Sequence, residues 1–327
     1  MKRRALVAGF AAAFAASMAA CAVPARAPDY TAETTYAKLA PRYPFIRIAS
    51  RDLPASVRAV RDVTYAIHGR PLRLDLYLPA APAPAGAPLP ALVFVHGGGW
   101  RQGVRDNFAP MAIRMAARGY AAATVSYRLS PEARYPAAIH DVKAAVRWLR
   151  AHAGAYGIDP ARIAIAGGSA GGQIASLVGV TNDDARFDPD AAPGAPSSAV
   201  QAVVNIDGLS DFTSEQARRY EDDPAKQPSS AGAWFGGRFA EKPDLWREAS
   251  PLSHVSPATP PMLFIGSAEA RFSVGREAMV GKLGALGIPH RVVLLPDTPH
   301  SFWLFDPWLD PTVDATAAFL DEHLRAP

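Results

Sequence analysis

The 327-residue sequence holds one cysteine, Cys21. No disulfide within the chain and no cysteine-ligated metal site can therefore stabilise a fold, and burial of an apolar core must do so. An excess of charge of either sign is also missing. Lys and Arg number 34 against 30 Asp and Glu, and Lys2, Arg3 and Arg4 supply three of the four surplus positive charges. From position 21 onward the balance is 31 to 30, which leaves no electrostatic footprint for a nucleic-acid partner. No apolar run is long enough to predict a membrane span.

The run that comes nearest lies at the start, MKRRALVAGFAAAFAASMAAC: three basic residues, an alanine-rich apolar stretch, then small residues. That order predicts a secretory signal over positions 1–20. Met18-Ala19-Ala20-Cys21 is similar to a bacterial lipobox with methionine in place of leucine. It predicts lipid attachment at Cys21 and an exported, periplasmic protein anchored at the outer membrane. The alternative is ordinary signal cleavage after Ala25-Arg26-Ala27. Positions 21–60 show little periodicity and read as a linker or arm.

From 61 onward the pattern becomes regular. Segments 61–67 and 72–78 alternate around His68-Gly69-Arg70, an antiparallel hairpin signal, and 79–90 is a proline and alanine loop. Strands are then predicted at 91–95, 121–127, 162–166, 200–206, 262–265 and 291–295. Helices are predicted at 108–117, 136–153, 173–180, 274–286 and 312–324. Eight strands alternating with helices imply an α/β domain over 61–327, with a mostly parallel sheet covered on both faces. Functional groups are then expected beyond the carboxyl ends of the strands. The alternation lapses over 207–256, after the sixth strand, where Phe212, Trp234, Phe235, Phe239 and Trp246 lie among glycines and prolines. This insertion reads as a cap shaping a ligand pocket, or else as a satellite core.

The segment 161–175, ARIAIAGGSAGGQIA, is a β-branched apolar run that breaks at glycines and restarts with helical spacing. Gly167-Gly168-Ser169-Ala170-Gly171 is the Gly-x-Ser-x-Gly form of a nucleophile elbow, in which Ser169 occupies a strained strand-to-helix turn and the flanking glycines relieve steric conflict. The next N–H, that of Ala170, begins the helix and can face a developing negative charge. Alone the pentapeptide is a weak signal.

A second glycine cluster, His96-Gly97-Gly98-Gly99-Trp100, follows the strand at 91–95. Together the two motifs make the sequence resemble the α/β-hydrolase esterases of the hormone-sensitive-lipase-like and acetylxylan/feruloyl-esterase-like branches. The likeness continues through Tyr127-Arg128-Leu129-Ser130-Pro131-Glu132, Tyr135-Pro136-Ala137, Asp141, Val146-Arg147-Trp148-Leu149 and Tyr156-Gly157-Ile158-Asp159-Pro160, and covers most of 60–325. The resemblance implies an α/β-hydrolase fold with an eight-stranded sheet. It also implies an oxyanion hole built from the N–H groups of Gly98, Gly99 and Ala170, with His96 structural rather than catalytic.

The base is expected last in chain order, after the final strand. His300 meets that requirement, whereas His68, His140, His152, His254, His290 and His323 read as surface or core residues. The acid follows from the resemblance: the family pattern after the seventh strand is Gly-x-x-Asp, and Gly266-Ser267-Ala268-Glu269 places Glu269 in that slot, thirty-one residues before His300. Asp297, Asp306 and Asp207 are the other carboxylates in reach of such a role. Ser169, His300 and Glu269 then imply hydrolysis of short acyl or acetyl esters through an acyl-enzyme, with no metal or cofactor. Trp100, Trp303 and Trp308 adjoin the oxyanion and base loops. They either pack those loops or stack on a sugar or aromatic group, which would point to decorated polysaccharide. An exopeptidase or amidase on the same fold, and a non-catalytic envelope lipoprotein that binds without turnover, are the alternatives. Aminoacyl anilides test the first, and loss of the serine, the base or the oxyanion glycines would mark the second.

Overall fold

The computed structural model describes residues 30–82, 87–130, 132–182 and 184–325. The expected signal at 1–20 and the lipidation site Cys21 lie outside the described residues.

Among the described residues, eight strands form one sheet: β1 (Val57–His68), β2 (Arg70–Pro79), β3 (Leu89–Val95), β4 (Ala121–Val125), β5 (Ile158–Gly168), β6 (Ala202–Ile206), β7 (Met262–Gly266) and β8 (His290–Leu294). Their order is β1-β2-β4-β3-β5-β6-β7-β8. The pairs β1/β2 and β2/β4 are antiparallel and the rest are parallel. The central strands read as unbroken apolar runs because both faces are covered: Leu92, Val93, Phe94, Ile163, Ile165, Val203 and Val204 are fully buried, divided between two core layers.

Helices α1 (Ala32–Leu39), α2 (Ala109–Ala117), α3 (Ala137–Ala151), α4 (Ala170–Val180), α5 (Glu215–Glu221), α6 (Ser230–Phe235), α7 (Pro243–Glu248), α8 (Arg276–Ala285) and α9 (Leu309–Leu324) accompany the sheet. In α3, Ile139, Val142, Val146 and Leu149 make one buried stripe. α4 is buried along its whole length, so its pattern is nearly continuous rather than amphipathic. It begins at Ala170, where the elbow puts the helix N-terminus, and runs on through the apolar spacing read over 173–180.

Register decides where the site can be. Val95 pairs with Gly167, Gly168 with Ile206, Ile206 with Ile265, and Gly266 with Leu294. The glycine loop after 95, Ser169, Asp207 and the loops after 266 and 294 therefore leave the sheet side by side at one edge.

Two regions hold more structure than their sequence pattern expresses. Residues 30–49 are not a plain linker. Thr31 caps α1 through a reciprocal bond with Thr34, Arg47–Ile48 pairs with Phe305–Asp306, and Ala49 N donates to Leu304 O at 3.0 Å. Tyr30 lies 2.9 Å, hydroxyl to hydroxyl, from Ser301, and Asn107 Nδ2 donates to the Tyr30 carbonyl at 3.2 Å. The apolar residues of this arm, Tyr36, Leu39, Tyr43, Ile46 and Ile48, pack against the chain around 302–308. In the insertion, Phe212, Trp234, Phe235 and Trp246 are buried with Tyr135 and Trp100 in an aromatic cluster continuous with one core layer. Polar members of the same insertion reach the site edge.

Candidate active site

Ser169 sits between β5 and α4 with φ +57° and ψ −125°, a conformation that costs a non-glycine residue on the order of 1–3 kcal/mol. Its N–H donates to Ile206 O at 2.8 Å, which ties the elbow to the neighbouring strand. A Cβ on Gly167 would strike the carbonyl of Gly171, and one on Gly171 would strike that of Val95. The two glycines thus serve different contacts: one lets the elbow close, the other lets α4 start against the end of β3.

His300 completes the approach. Its Nε2 is 2.9 Å from Ser169 Oγ, and its Nδ1 is 3.0 Å from Asp207 Oδ2. An ionised carboxylate only accepts, so Nδ1 carries the hydrogen and Nε2 is left to accept from the serine hydroxyl. Phe272 lies flat on the imidazole, 3.4 Å between centroids and 8° between planes, and the Trp303 edge meets it at 5.3 Å. The ring is thereby held in one orientation.

The expectation that Glu269 stands behind the imidazole is corrected. Glu269 Oε1 accepts from the backbone N–H of His300 at 3.0 Å, so it pins the loop rather than the ring. The carboxylate at the ring is Asp207, one residue past β6, with φ +49°. Its side chain is 1% exposed, and its second oxygen accepts from Ser267 N at 2.8 Å. Glu269 is exposed on the outer side of the β7 loop. The base loop leans across β7 toward β6, which brings the ring to Asp207 and only the main chain to Glu269. Asp306 is taken up by Arg114 at 3.1 Å, and neither it nor Asp297 is bonded to His300.

The N–H groups of Gly98, Gly99 and Ala170 have no hydrogen-bond partner among the described residues. Gly99 and Ala170 line a cavity of about 60 Å³ together with Ser169, Trp100, Asp207, Leu209, Glu221, Ser230, Arg271 and Phe272. Gly98, at φ +119°, could not carry a side chain without striking the Gln102 carbonyl. Beside this loop His96 is structural. Its Nδ1 donates to Gly97 O at 2.8 Å, and its ring stacks on Tyr127 at 4.4 Å.

Burial pulls the pKa of His96 from 6.5 down to about 4. The unfolded imidazole holds the extra proton between these values. The stability gained from keeping the ring neutral is therefore complete above pH 6.5 and lost as pH falls toward 4, on the order of 3 kcal/mol in all. Thermal melts across that window should show a steeper acid-side loss for the wild type than for His96→Gln.

The tryptophans do not form a stacking platform. Trp303 is 1% exposed, and its ring fills the space where a Cβ on Gly168 would be, beneath the nucleophile. Trp100 touches the cavity but is stacked on Trp234 at 4.9 Å and donates to Gln173 Oε1 at 2.9 Å. Trp308 packs edge-on against Tyr43 and Phe45. The sequence reading missed Phe272, Tyr30, and the pair Glu221 and Arg271. Nothing in local spacing marks them, although Phe272 and Arg271 follow directly on the Gly266–Glu269 segment. Among the described residues no three His, Cys, Asp or Glu side chains gather as a metal site, and no helix is long and apolar enough to cross a membrane.

A serine on a strained turn, an imidazole and a buried carboxylate at the carboxyl edge of this sheet define an α/β-hydrolase fold with a serine-hydrolase type of site. The family model described as BD-FAE matches residues 74–272, and the chain belongs to that family. It is 34% identical over 249 residues to the esterase LipC of Mycobacterium tuberculosis, covering 73% of this chain and 60% of LipC. It is 30% identical over 249 residues to an ethyl acetate hydrolase of Pseudomonas putida, covering 72% of each. LipC and the related LipM are matched over 60% and 46% of their own lengths, so the chain spans about half of such relatives. Among solved structures, a thermophilic esterase of Thermogutta terrifontis superposes with a TM-score of 0.64 at 24% identity, over 82% of this chain and 92% of that one, a likeness of fold.

Proposed function

We propose that the protein is a serine carboxylesterase that hydrolyses short-chain esters through an acyl-enzyme. The observation that carries this reading is the unbroken line from Ser169 through His300 to Asp207, at 2.9 and 3.0 Å, ending at a small cavity flanked by unengaged N–H groups. Ser169 Oγ attacks the ester carbon while His300 Nε2 takes its proton, and Asp207 stabilises the imidazolium. The N–H groups of Gly98, Gly99 and Ala170 receive the oxyanion. The proton returns to the leaving alcohol as the C–O bond breaks. Water, deprotonated by the same imidazole, then releases the acid and restores the serine.

A cavity of about 60 Å³ holds roughly four water-sized groups, which suits an acetyl or propionyl group better than a long acyl chain. The esterase and ethyl acetate hydrolase names of the relatives support the same reaction class. The idea of a polysaccharide substrate held by tryptophan stacking loses its support with Trp303 buried. The charge and residue order of positions 1–21 support export, and Met18 to Cys21 supports a lipid anchor in the periplasm. Purified protein is expected to hydrolyse 4-nitrophenyl acetate faster than the octanoate, and to lose that activity as a fluorophosphonate adduct appears on the Ser169 peptide. Absence of hydrolysis across acetate, butyrate and octanoate would end the proposal.

A further inference from the structure

Hydrolysis of an unsubstituted acetate needs no charge in the wall of the cavity, yet the wall that contains Ser169 also holds an ion pair. Arg271 Nη2 and Nε both reach Oε1 of Glu221, at 3.0 and 3.3 Å. Glu221 closes α5 in the insertion, its side chain 5% exposed. Arg271 belongs to the single turn Ala270–Ser273, its guanidinium 5.7 Å from the Tyr220 ring and 5.3 Å from the Phe272 ring. Phe272 is the residue stacked on His300. The insertion and the loop after β7 thus meet at this pair, inside the substrate cavity, and Phe272 links them to the base.

The pairing is incomplete. Both nitrogens converge on one carboxylate oxygen, and neither Glu221 Oε2 nor Arg271 Nη1 has a hydrogen-bond partner among the described residues. The pair therefore leaves one free acceptor and one free donor while itself carrying no net charge, and Asp207, the other carboxylate of the lining, is taken up by His300 and Ser267. The pair alone gives an anionic or cationic substituent no net Coulombic attraction. An apolar substituent would push water away from Glu221 Oε2, on a side chain 5% exposed, and leave it unpaired, while Arg271, 38% exposed, would lose part of its hydration. A hydroxyl, which donates and accepts at once, satisfies both.

Resting on the esterase reading, we infer that Glu221 and Arg271 determine specificity. They select short esters that carry a neutral hydroxyl close to the scissile bond over unsubstituted esters of the same size. A site built to hydrogen-bond a substrate hydroxyl discriminates strongly against the analogue that lacks it, because its own buried groups are then stranded.

The test compares kcat/KM of the full chain on matched pairs that exchange a hydroxyl for a methyl. Ethyl glycolate against ethyl propionate probes the acyl side, and 2-hydroxyethyl acetate against propyl acetate probes the alcohol side. At least one pair should favour the hydroxylated member about tenfold or more, which also shows which side of the ester meets the ion pair. In Glu221→Leu/Arg271→Leu that ratio should fall to about one or below. Ratios near one for both wild-type pairs, or a ratio undiminished in the double variant, would overturn the inference. If the double variant does not fold, Glu221→Gln decides instead: a preference reduced about threefold or more supports the assignment, and an unchanged one refutes it. No turnover of any of the four esters by the wild type would count against the esterase reading itself, a distinguishable result.

Discussion

Replacing Ser169 with alanine is expected to lower kcat on 4-nitrophenyl acetate by about four to six orders of magnitude, with fluorophosphonate labelling abolished and the melting temperature unchanged or raised. The chemical loss is large because, among the described residues, the hydroxyl is the only oxygen that His300 Nε2 reaches, at 2.9 Å, and no other serine or threonine among them hydrogen-bonds that nitrogen. Ser230, which also lines the cavity, has no bond to the imidazole. The stability side has a separate cause. Ser169 keeps its positive φ whatever its side chain, and alanine retains the Cβ that the turn already accommodates, so the fold loses only a hydroxyl. Residual rate over water should come from the oxyanion N–H groups. Active-site titration together with single-turnover kinetics measures it, and retained turnover in a homogeneous Ser169→Ala preparation would remove Ser169 from the mechanism.

The second large effect separates two carboxylates that lie near the same histidine. Asp207→Asn should reduce kcat about ten-thousandfold, whereas Glu269→Gln should stay within about tenfold of wild type. Asparagine at 207 can turn its amide nitrogen toward His300 Nδ1, 3.0 Å away. That favours the tautomer with hydrogen on Nε2, which cannot take the serine proton. The imidazolium, 17% exposed, would also lose its counter-charge. Glutamine at 269 still offers a carbonyl oxygen to the His300 backbone N–H at 3.0 Å, so the loop keeps its anchor. Equal losses in both variants would contradict the geometric assignment.

The contrast between these carboxylates shows what can be read along a chain and what cannot. Strands, the glycine loop and the elbow obey local rules: apolar runs, a tight turn, two glycines spaced about a serine. The structure places them where those rules indicate, with boundaries moved by a few residues. Asp207 and Glu269 each follow a parallel strand, and their strands are neighbours. Which one meets the imidazole depends on the direction in which the 295–301 loop crosses the edge, and no local pattern records that. Trp303 illustrates the same limit. It lies three residues after His300, but the turn at Ser301, φ +71°, sends its ring into the core beneath Gly168 instead of toward a ligand. Residues 30–49 escaped a periodicity search because their apolar side chains contact an irregular surface made by a turn and a helix end. That surface imposes no repeat of 2 or 3.6.

The reach of this arm has a practical meaning. Between Tyr30 and Ser301 runs a single hydroxyl contact, and behind it a short ribbon of paired backbone joins 47–48 to 305–306. The chain from Tyr30 to Ile48 thereby buttresses the segment that directly follows the general base. A gene trimmed to begin at residue 61, where regular alternation starts, would cut this handle away and leave the histidine's supporting turn with one wall missing.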